Sequence, residues 1–389
     1  MNRKTSLLLM DPHSLSKTEE AKCSFFQNYN IELTLLEPFG KGPCPGKREK
    51  RTYRVISGKT LGKRPYRAFF LTGLVSALLK KPDCILFLSD PFCFWTLQAL
   101  FFKRLFSPKS RFIFHSWDNV RFTTKNFPQS NVLLFFIDSV IEKVVLRYSD
   151  VAICRNREAV KVLKEKGFKK RVEFLPWGVD TGIFKPLERG SRPSLDFQEE
   201  LPVVGYIGRF VPEKGISLLV EAVSKMEMRV NLLLVGSGCE LGTIKTVIEN
   251  LNLLERVMII ESVSPEKVPG YFNSIDILVL PSISAPTWKE QFGRVLVEAM
   301  ACKVAVVGSS SGAIPEVIAD CGLVFREGDS EDLCQKITSI ILDPQKRKIL
   351  GEKGRVRAAE VFSWNAFARE TTEKVIKRGK QPGKGEWEV

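Results

Sequence analysis

Two stretches of the 389-residue sequence hold residue types that could grip a phosphorylated ligand. The first is Gly205-Tyr-Ile-Gly-Arg-Phe-Val-Pro-Glu-Lys-Gly215. Gly208 lets the backbone pass close to a ligand, while Arg209 offers a forked cation and Lys214 a point charge. A helical pattern starts at Ile216, so this is a strand, a glycine loop and a helix N-terminus, whose free N–H groups and dipole favour anions. It is neither a dinucleotide fingerprint nor a P-loop, and an ordinary loop with exposed basic residues has the same composition. The second stretch is Glu290-Gln-Phe-Gly-Arg-Val-Leu-Val-Glu298. Its spacing predicts a helix from near Phe292 to Cys302, with Gly293 at the start, Glu290 ahead of the first turn and Glu298 nearly two turns along. Glu290 also reads as a helix-dipole partner and Glu298 as a solvated position. Cations and N–H donors of this kind suit the negative charge of a phosphate group. A third candidate is His115 in Phe114-His-Ser-Trp-Asp-Asn119, at a strand end where cleft loops belong, although a lone histidine is also a common structural residue.

Short apolar or β-branched runs alternate with helical segments along the whole chain. Strands are predicted at Ser6–Met10, Ile31–Leu36, Cys84–Leu88, Arg111–His115, Val151–Cys154 and Val172–Leu175. Six more follow at Val203–Ile207, Val230–Val235, Val257–Ile260, Ile277–Leu280, Val304–Val307 and Leu323–Phe325. Helices are predicted at Ile141–Tyr148, Arg157–Lys166, Ile216–Lys225, Arg294–Cys302 and Glu331–Leu342. This alternation predicts an α/β protein with parallel sheets covered on both faces. The length calls for two doubly wound, Rossmann-like domains, with ligands at the carboxyl ends of strands in a cleft that the domains face. The polar stretch Lys185–Glu200 marks the break: residues 1–186 form the first domain, 187–200 a linker and 201–362 the second domain. Residues 379–389 read as a fraying tail.

Taken in order, these segments resemble the retaining glycosyltransferases of family four (glycosyl transferases group one), which have the GT-B fold. The matching segments include Gly208-Arg209, Glu213-Lys214-Gly215, Val235-Gly-Ser-Gly238, Leu280-Pro-Ser282 and the Glu290–Glu298 stretch with Ala-Met-Ala301. Gly312-Ala-Ile-Pro-Glu316, Gly322-Leu-Val-Phe325 and Pro176-Trp-Gly-Val-Asp180 continue the match. Phe362-Ser-Trp364 resembles the start of the closing helix, which the resemblance runs over 363–378 and back onto the first domain. The resemblance implies that Arg209 and Lys214 hold the donor diphosphate, that Glu298 takes the ribose hydroxyls, and that Glu290 bonds the transferred sugar. It further implies that the backbone around Phe292, Gly293, Arg294 and Val295 contacts phosphate and sugar, and that His115 faces the transferred sugar. It implies a metal-independent, same-face displacement rather than a carboxylate nucleophile. Two departures stand out. The first loop, Met10-Asp-Pro-His-Ser-Leu-Ser-Lys17, lacks the usual glycine pair and leaves His13 within reach of the cleft, though a plain turn fits Asp-Pro-His as well. Ile260-Glu-Ser-Val263 lacks the usual glycine, which leaves the donor base open.

The net charge of +15 is carried wholly by residues 1–200, whose 35 Lys and Arg face 20 Asp and Glu; the remainder is neutral. A basic half predicts an anionic partner: a lipid-linked diphosphate acceptor, an anionic membrane surface or nucleic acid, against the plainer reading of a solubilising surface. Basic patches occur at Lys47–Arg54, Lys59–Arg67, Lys103-Arg104 and Lys166–Arg171, and Phe101–Phe106 sets aromatics beside cations as an interfacial anchor would. The neutral second half and the lack of an aromatic RNA-binding motif argue against nucleic acid as partner. Nine scattered cysteines without a C-x-x-C pair and only two histidines predict no metal site and no disulfide framework, as in a reducing cytoplasm. No apolar run reaches the roughly 18 residues of a membrane span, and the opening run is too short for a secretory leader, so a cytoplasmic protein, peripheral on the membrane at most, is expected. The reading is thus a hexosyltransferase that moves sugar from a nucleotide-diphosphate donor to a lipid-linked or saccharide acceptor, as in envelope polysaccharide or glycolipid synthesis. Another nucleotide-sugar enzyme of similar fold, or a nonenzymatic polyanion binder, is the alternative.

Overall fold

The computed structural model describes residues 3–11, 22–38, 52–62, 67–121, 132–197, 201–261 and 263–377. It divides into two compact units, Met1–Gly178 with Trp364–Val389, and Val179–Ser363. The boundary expected at 187–200 therefore moves upstream. Residues just after 186 pack on the second unit, where the Leu187 N–H donates to Asn273 Oδ1 at 2.8 Å and Ser274 Oγ donates to the Pro193 carbonyl at 3.4 Å. Their polar composition reflects an exposed path over a surface rather than a free tether. The expected tail at 379–389 and His13 lie outside the described residues.

In the first unit the strands are β1 (Thr5–Met10), β2 (Ile31–Pro38), β3 (Arg54–Gly58), β4 (Thr60–Leu61), β5 (Phe69–Phe70), β6 (Cys84–Phe87), β7 (Arg111–Ser116), β8 (Val151–Cys154) and β9 (Arg171–Phe174). Seven of them form one parallel sheet in the order β3-β2-β1-β6-β7-β8-β9, and β4 pairs with β5 as a short antiparallel ribbon. Strands such as β6 and β8 are buried along their whole length, as both-faced coverage by helices requires. The covering helices are α1 (Leu74–Leu78), α2 (Phe94–Phe106), α3 (Val132–Tyr148) and α4 (Arg157–Glu165). Trp95, Ala99 and Leu100 of α2 and Ile141, Val145 and Leu146 of α3 enter one core with Ile85, Phe87, Phe112 and Phe114 from the sheet.

The second unit repeats the plan with β10 (Val203–Ile207), β11 (Asn231–Val235), β12 (Val257–Ile260), β13 (Ile277–Leu280), β14 (Ala305–Ser309) and β15 (Gly322–Phe325). They form a parallel sheet in the order β12-β11-β10-β13-β14-β15. Its helices are α5 (Ile216–Ser224), α6 (Leu241–Asn250), α7 (Val268–Phe272), α8 (Arg294–Ala301), α9 (Ile314–Ile318), α10 (Ser330–Ile341) and α11 (Pro344–Glu360). The strand order reverses between β10 and β13 here and between β1 and β6 in the first unit, and such switch points are where doubly wound sheets open a crevice for ligands.

The chain returns to the first unit at α12 (Trp364–Glu370), which runs on as a π-helical turn, Thr371–Lys377. Arginines of the sheet satisfy the carbonyls at its end. Arg111 of β7 donates to the Ile376 carbonyl at 2.9 Å and also to that of Val375, and Arg171 of β9 donates to that of Lys374. The other end packs Trp364 edge-on against Trp177 at 5.2 Å between centroids.

Candidate functional site

Both phosphate-suited stretches lie at the switch point of the second unit, one after β10 and the other after β13. Gly208 closes β10, its N–H donating to the Val235 carbonyl at 2.9 Å, and Arg209 follows with its side chain exposed. The Tyr206 phenol, kept protonated by burial, donates to the Arg209 carbonyl at 2.7 Å and so fixes the backbone on which that cation stands. The loop then tightens into a 3₁₀ turn, Pro212–Lys214, that ends on Gly215 at φ 62°. A Cβ at Gly215 would meet the Pro281 carbonyl oxygen at 2.1 Å, so glycine alone lets the β10 and β13 loops approach this closely. The Ile283 N–H, donating to the Glu213 carbonyl at 2.9 Å, ties the two loops together.

This approach brings Lys214 to Glu290, 76 positions later in the chain. Lys214 Nζ lies 2.5 Å from Glu290 Oε2 and 4.9 Å from the centre of the Trp288 ring. Ser282 Oγ donates to the same carboxylate oxygen at 2.9 Å. Glu290 is 7% exposed, its main chain held by the Ala313 N–H. It does not cap the next helix: α8 starts on Gly293 at φ 77° with no side-chain cap and no acid in its first turn. Helix α5 likewise starts on Gly215 without a cap or an early acid. Two helix N-termini thus leave the switch strands with their positive ends unneutralised, the condition for binding an anion.

The rest of the second stretch falls as follows. Phe292 is buried edge-on against Phe362 at 5.7 Å, so only its main chain is available to a ligand. Arg294 is exposed and Val295 half-buried at the helix start. Glu298 is 9% exposed and takes Arg294 Nε at 3.0 Å, which excludes the solvated position that its spacing also allowed. Ser282 and Trp288 were passed over in the sequence as site residues, although Ser282 lies two residues past a strand end and its Leu-Pro-Ser setting could have marked it.

In the first unit, His115 lies at the end of β7 and is fully buried, its ring edge-on to Trp117 at 5.6 Å and Trp177 at 5.7 Å. Between those two indoles sits the Arg155 guanidinium, 3.2 and 3.9 Å from their centres. Lys22, wholly buried, pairs with Asp11 at 2.6 Å and faces Trp177 and Trp364 at 4.9 and 5.6 Å. At the switch point of this unit, Asp90 follows β6 and accepts the Trp117 N–H at 2.9 Å. Desolvation in its recess, and then the neighbouring Asp118, push the Asp90 carboxyl up to about 8, while Lys166 binds Asp118 at 3.1 Å and Glu142 at 2.8 Å. A carboxyl that holds its proton near neutrality can both donate to and accept from a hydroxyl. Nothing in the sequence around Asp90 announces this, because the shift arises from burial in the folded chain and then from Asp118, 28 positions away.

The family model for glycosyl transferases group 1 matches residues 188–357, which fall inside the second unit. Residues 188–357 belong to that family. A GDP-mannose-dependent alpha-(1-6)-phosphatidylinositol monomannoside mannosyltransferase from Mycolicibacterium smegmatis is 30% identical over 203 residues, half of this chain and 53% of its own length. The chain spans about half the length of the curated relatives it matches. Among solved structures, a sucrose-phosphate synthase from Thermosynechococcus elongatus superposes with a TM-score of 0.71 at 20% identity, over 95% of this chain and 98% of that one. The Anabaena HepE protein in complex with UDP gives 0.69 at 20% identity, over 96% and 99%. These likenesses show the fold: two Rossmann-like domains of the GT-B class, as the sequence predicts.

Proposed function

We propose that the protein is a retaining glycosyltransferase that moves a hexose from a nucleotide-diphosphate sugar to a lipid-linked or saccharide acceptor, in cell-envelope polysaccharide or glycolipid synthesis. The observation that carries this reading is the meeting of Lys214 and Glu290 at 2.5 Å beside two uncapped helix starts, at the switch point of a glycosyl transferases group 1 domain. Arg209, Lys214 and the N–H groups around Gly293 take the donor diphosphate and stabilise it as it leaves, with no metal ion required. Glu298 receives the ribose hydroxyls, Glu290 those of the transferred sugar, and His115 stands on the acceptor side. The bond from the anomeric carbon to the phosphate oxygen breaks while the acceptor oxygen bonds to the same face of that carbon. The acceptor proton passes to the departing phosphate. The UDP held by the Anabaena protein of like fold supports a nucleotide donor, and the phosphatidylinositol mannoside named for the mycobacterial relative supports a lipid acceptor. We place the reaction in the cytoplasm, where the exposed, free Cys239 thiol is stable.

The test is turnover of a panel of nucleotide sugars in EDTA, wild type against Lys214→Ala and Glu290→Ala. One donor turned over despite chelation, with loss in both variants, is the expected result. Turnover that needs added divalent metal would overturn the metal-independent mechanism, and failure to bind any donor would overturn the transferase reading.

A further inference from the structure

Exposed apolar side chains gather on the outer surface of the first unit. Helices α2 and α3 run side by side in the same direction, and two contacts fix them. Near their starts, Arg67 pairs with Asp138 of α3 at 2.9 Å while its guanidinium lies 5.3 Å from the Phe94 ring of α2. At their ends, the Arg104 guanidinium of α2 lies 4.5 Å from the Tyr148 ring of α3. Along these ties both helices turn large apolar residues outward: Phe101 and Leu105 on α2, 57% and 58% exposed, and Phe136 and Val140 on α3, 57% and 60%. Beside them a groove of about 400 Å³ is lined by Phe69, Phe94, Leu97, Gln98 and Phe101.

The charges on the same two helices are sorted by sign. Both acids of α3 turn inward into ion pairs, Asp138 with Arg67 and Glu142 with Lys166, and α2 has none. The exposed charges are all cationic: Arg104, Lys143 and Arg147. An outward face that is apolar and aromatic, edged by cations and free of exposed acids, is ill suited to water and complementary to anionic headgroups over acyl chains. No helix among the described residues is long and apolar enough to cross a membrane, so such a contact is interfacial. We infer that the α2–α3 face docks on an anionic phospholipid bilayer, with Phe101, Leu105, Phe136 and Val140 entering the headgroup–acyl boundary and Arg104, Lys143 and Arg147 binding lipid phosphate. The inference stands apart from sugar transfer, because docking needs no donor.

The experiment is co-sedimentation of the full chain, without nucleotide sugar, on phosphatidylcholine vesicles with and without phosphatidylglycerol, coupled to fluorescence of a Phe136→Trp variant. The expected result is binding that depends on phosphatidylglycerol, with the emission attributable to position 136, read against the wild-type signal, shifted to the blue and quenched by brominated acyl chains. Lys143→Glu with Arg147→Glu is expected to weaken partition by about tenfold or more, and Phe136→Ser with Val140→Ser to do the same without changing charge. The substituted residues are exposed, so loss of folding is not expected, and circular dichroism checks it. Binding without quenching at position 136 would assign adsorption to other basic patches and overturn the inference. So would the absence of binding, or a concentration-dependent dimer that Phe136→Ser with Val140→Ser abolishes.

Discussion

Replacing Glu290 by Gln is expected to tighten the binding of a nucleoside diphosphate while slowing sugar transfer. In the free protein the Lys214 ammonium is held by the Glu290 carboxylate at 2.5 Å, with both side chains shielded, at 14% and 9% exposure. A phosphate arriving at Lys214 meets that carboxylate as a like charge. A phosphate oxygen that accepts from Lys214 Nζ would lie roughly 5 Å from the carboxylate, where two unit charges at an effective dielectric near 20 repel by about 3 kcal/mol. Glutamine keeps the shape and still accepts from Ser282, but removes the repulsion. Partial screening by water at the site reduces the gain, so affinity should rise by at least about tenfold, toward about a hundredfold. A diphosphate without its sugar loses no contact by the change, since the proposed partner of Glu290 is the sugar. The intact donor does lose that contact, so kcat should fall by about 10² even though the anion binds more tightly. Calorimetric titration of wild type and Glu290→Gln with UDP and GDP measures the first effect, and transfer kinetics the second. Unchanged or weaker diphosphate binding by Glu290→Gln would show that Lys214 is not the diphosphate ligand, and the assignment of the switch-point loops would fail with it.

Three further outcomes follow from the same structure. Gly215→Ala places a methyl group 2.1 Å from the Pro281 carbonyl at φ 62° and should cost about 1–3 kcal/mol or more; a lowered melting temperature in the second unit with weakened diphosphate binding is expected, and wild-type values for both would refute the loop contact. Asp11→Asn leaves the wholly buried Lys22 without its counter-charge and should cost the first unit about 3–5 kcal/mol, a fall of roughly 6–20 °C. Lys22→Met with Asp11→Leu should recover most of that loss, and additive losses would contradict the pairing. The raised Asp90 carboxyl makes stability pH-dependent: the folded state keeps a proton that the unfolded chain releases above about pH 4, so stability falls as pH rises from there towards about 8. Thermal melts from pH 5 to 9 should slope downward in wild type and less so in Asp90→Asn, and parallel slopes would count against the shift.

Strands were legible in the sequence wherever burial on both faces forced an unbroken apolar run. Val151–Cys154, Val203–Ile207 and Ile277–Leu280 were bounded correctly, whereas β3, with the sequence Arg-Val-Ile-Ser-Gly at the sheet edge, lacks such a run and was missed. The longest helix of the second unit, Pro344–Glu360, was missed for the opposite reason. It packs through notches rather than an apolar stripe: a Cβ at Gly351 would strike the Lys303 carbonyl at 2.3 Å, and one at Gly354 would meet Met300 of α8 at 3.0 Å. Close backbone approach needs no hydrophobic periodicity, so period-based reading is blind to it. The candidate site divides along the same line. Gly208, Arg209, Lys214 and Gly293 stand out by local chemistry and the two glutamates only through the family resemblance, and the parallel topology then places both stretches at one switch point. That Lys214 and Glu290 touch could not be read, because it depends on Gly215 admitting the Pro281 carbonyl, a contact between loops 66 residues apart. Asp90 illustrates the stronger limit. Its unusual proton affinity resides in the burial around it and then in Asp118, so the residue is ordinary in one dimension and singular in three.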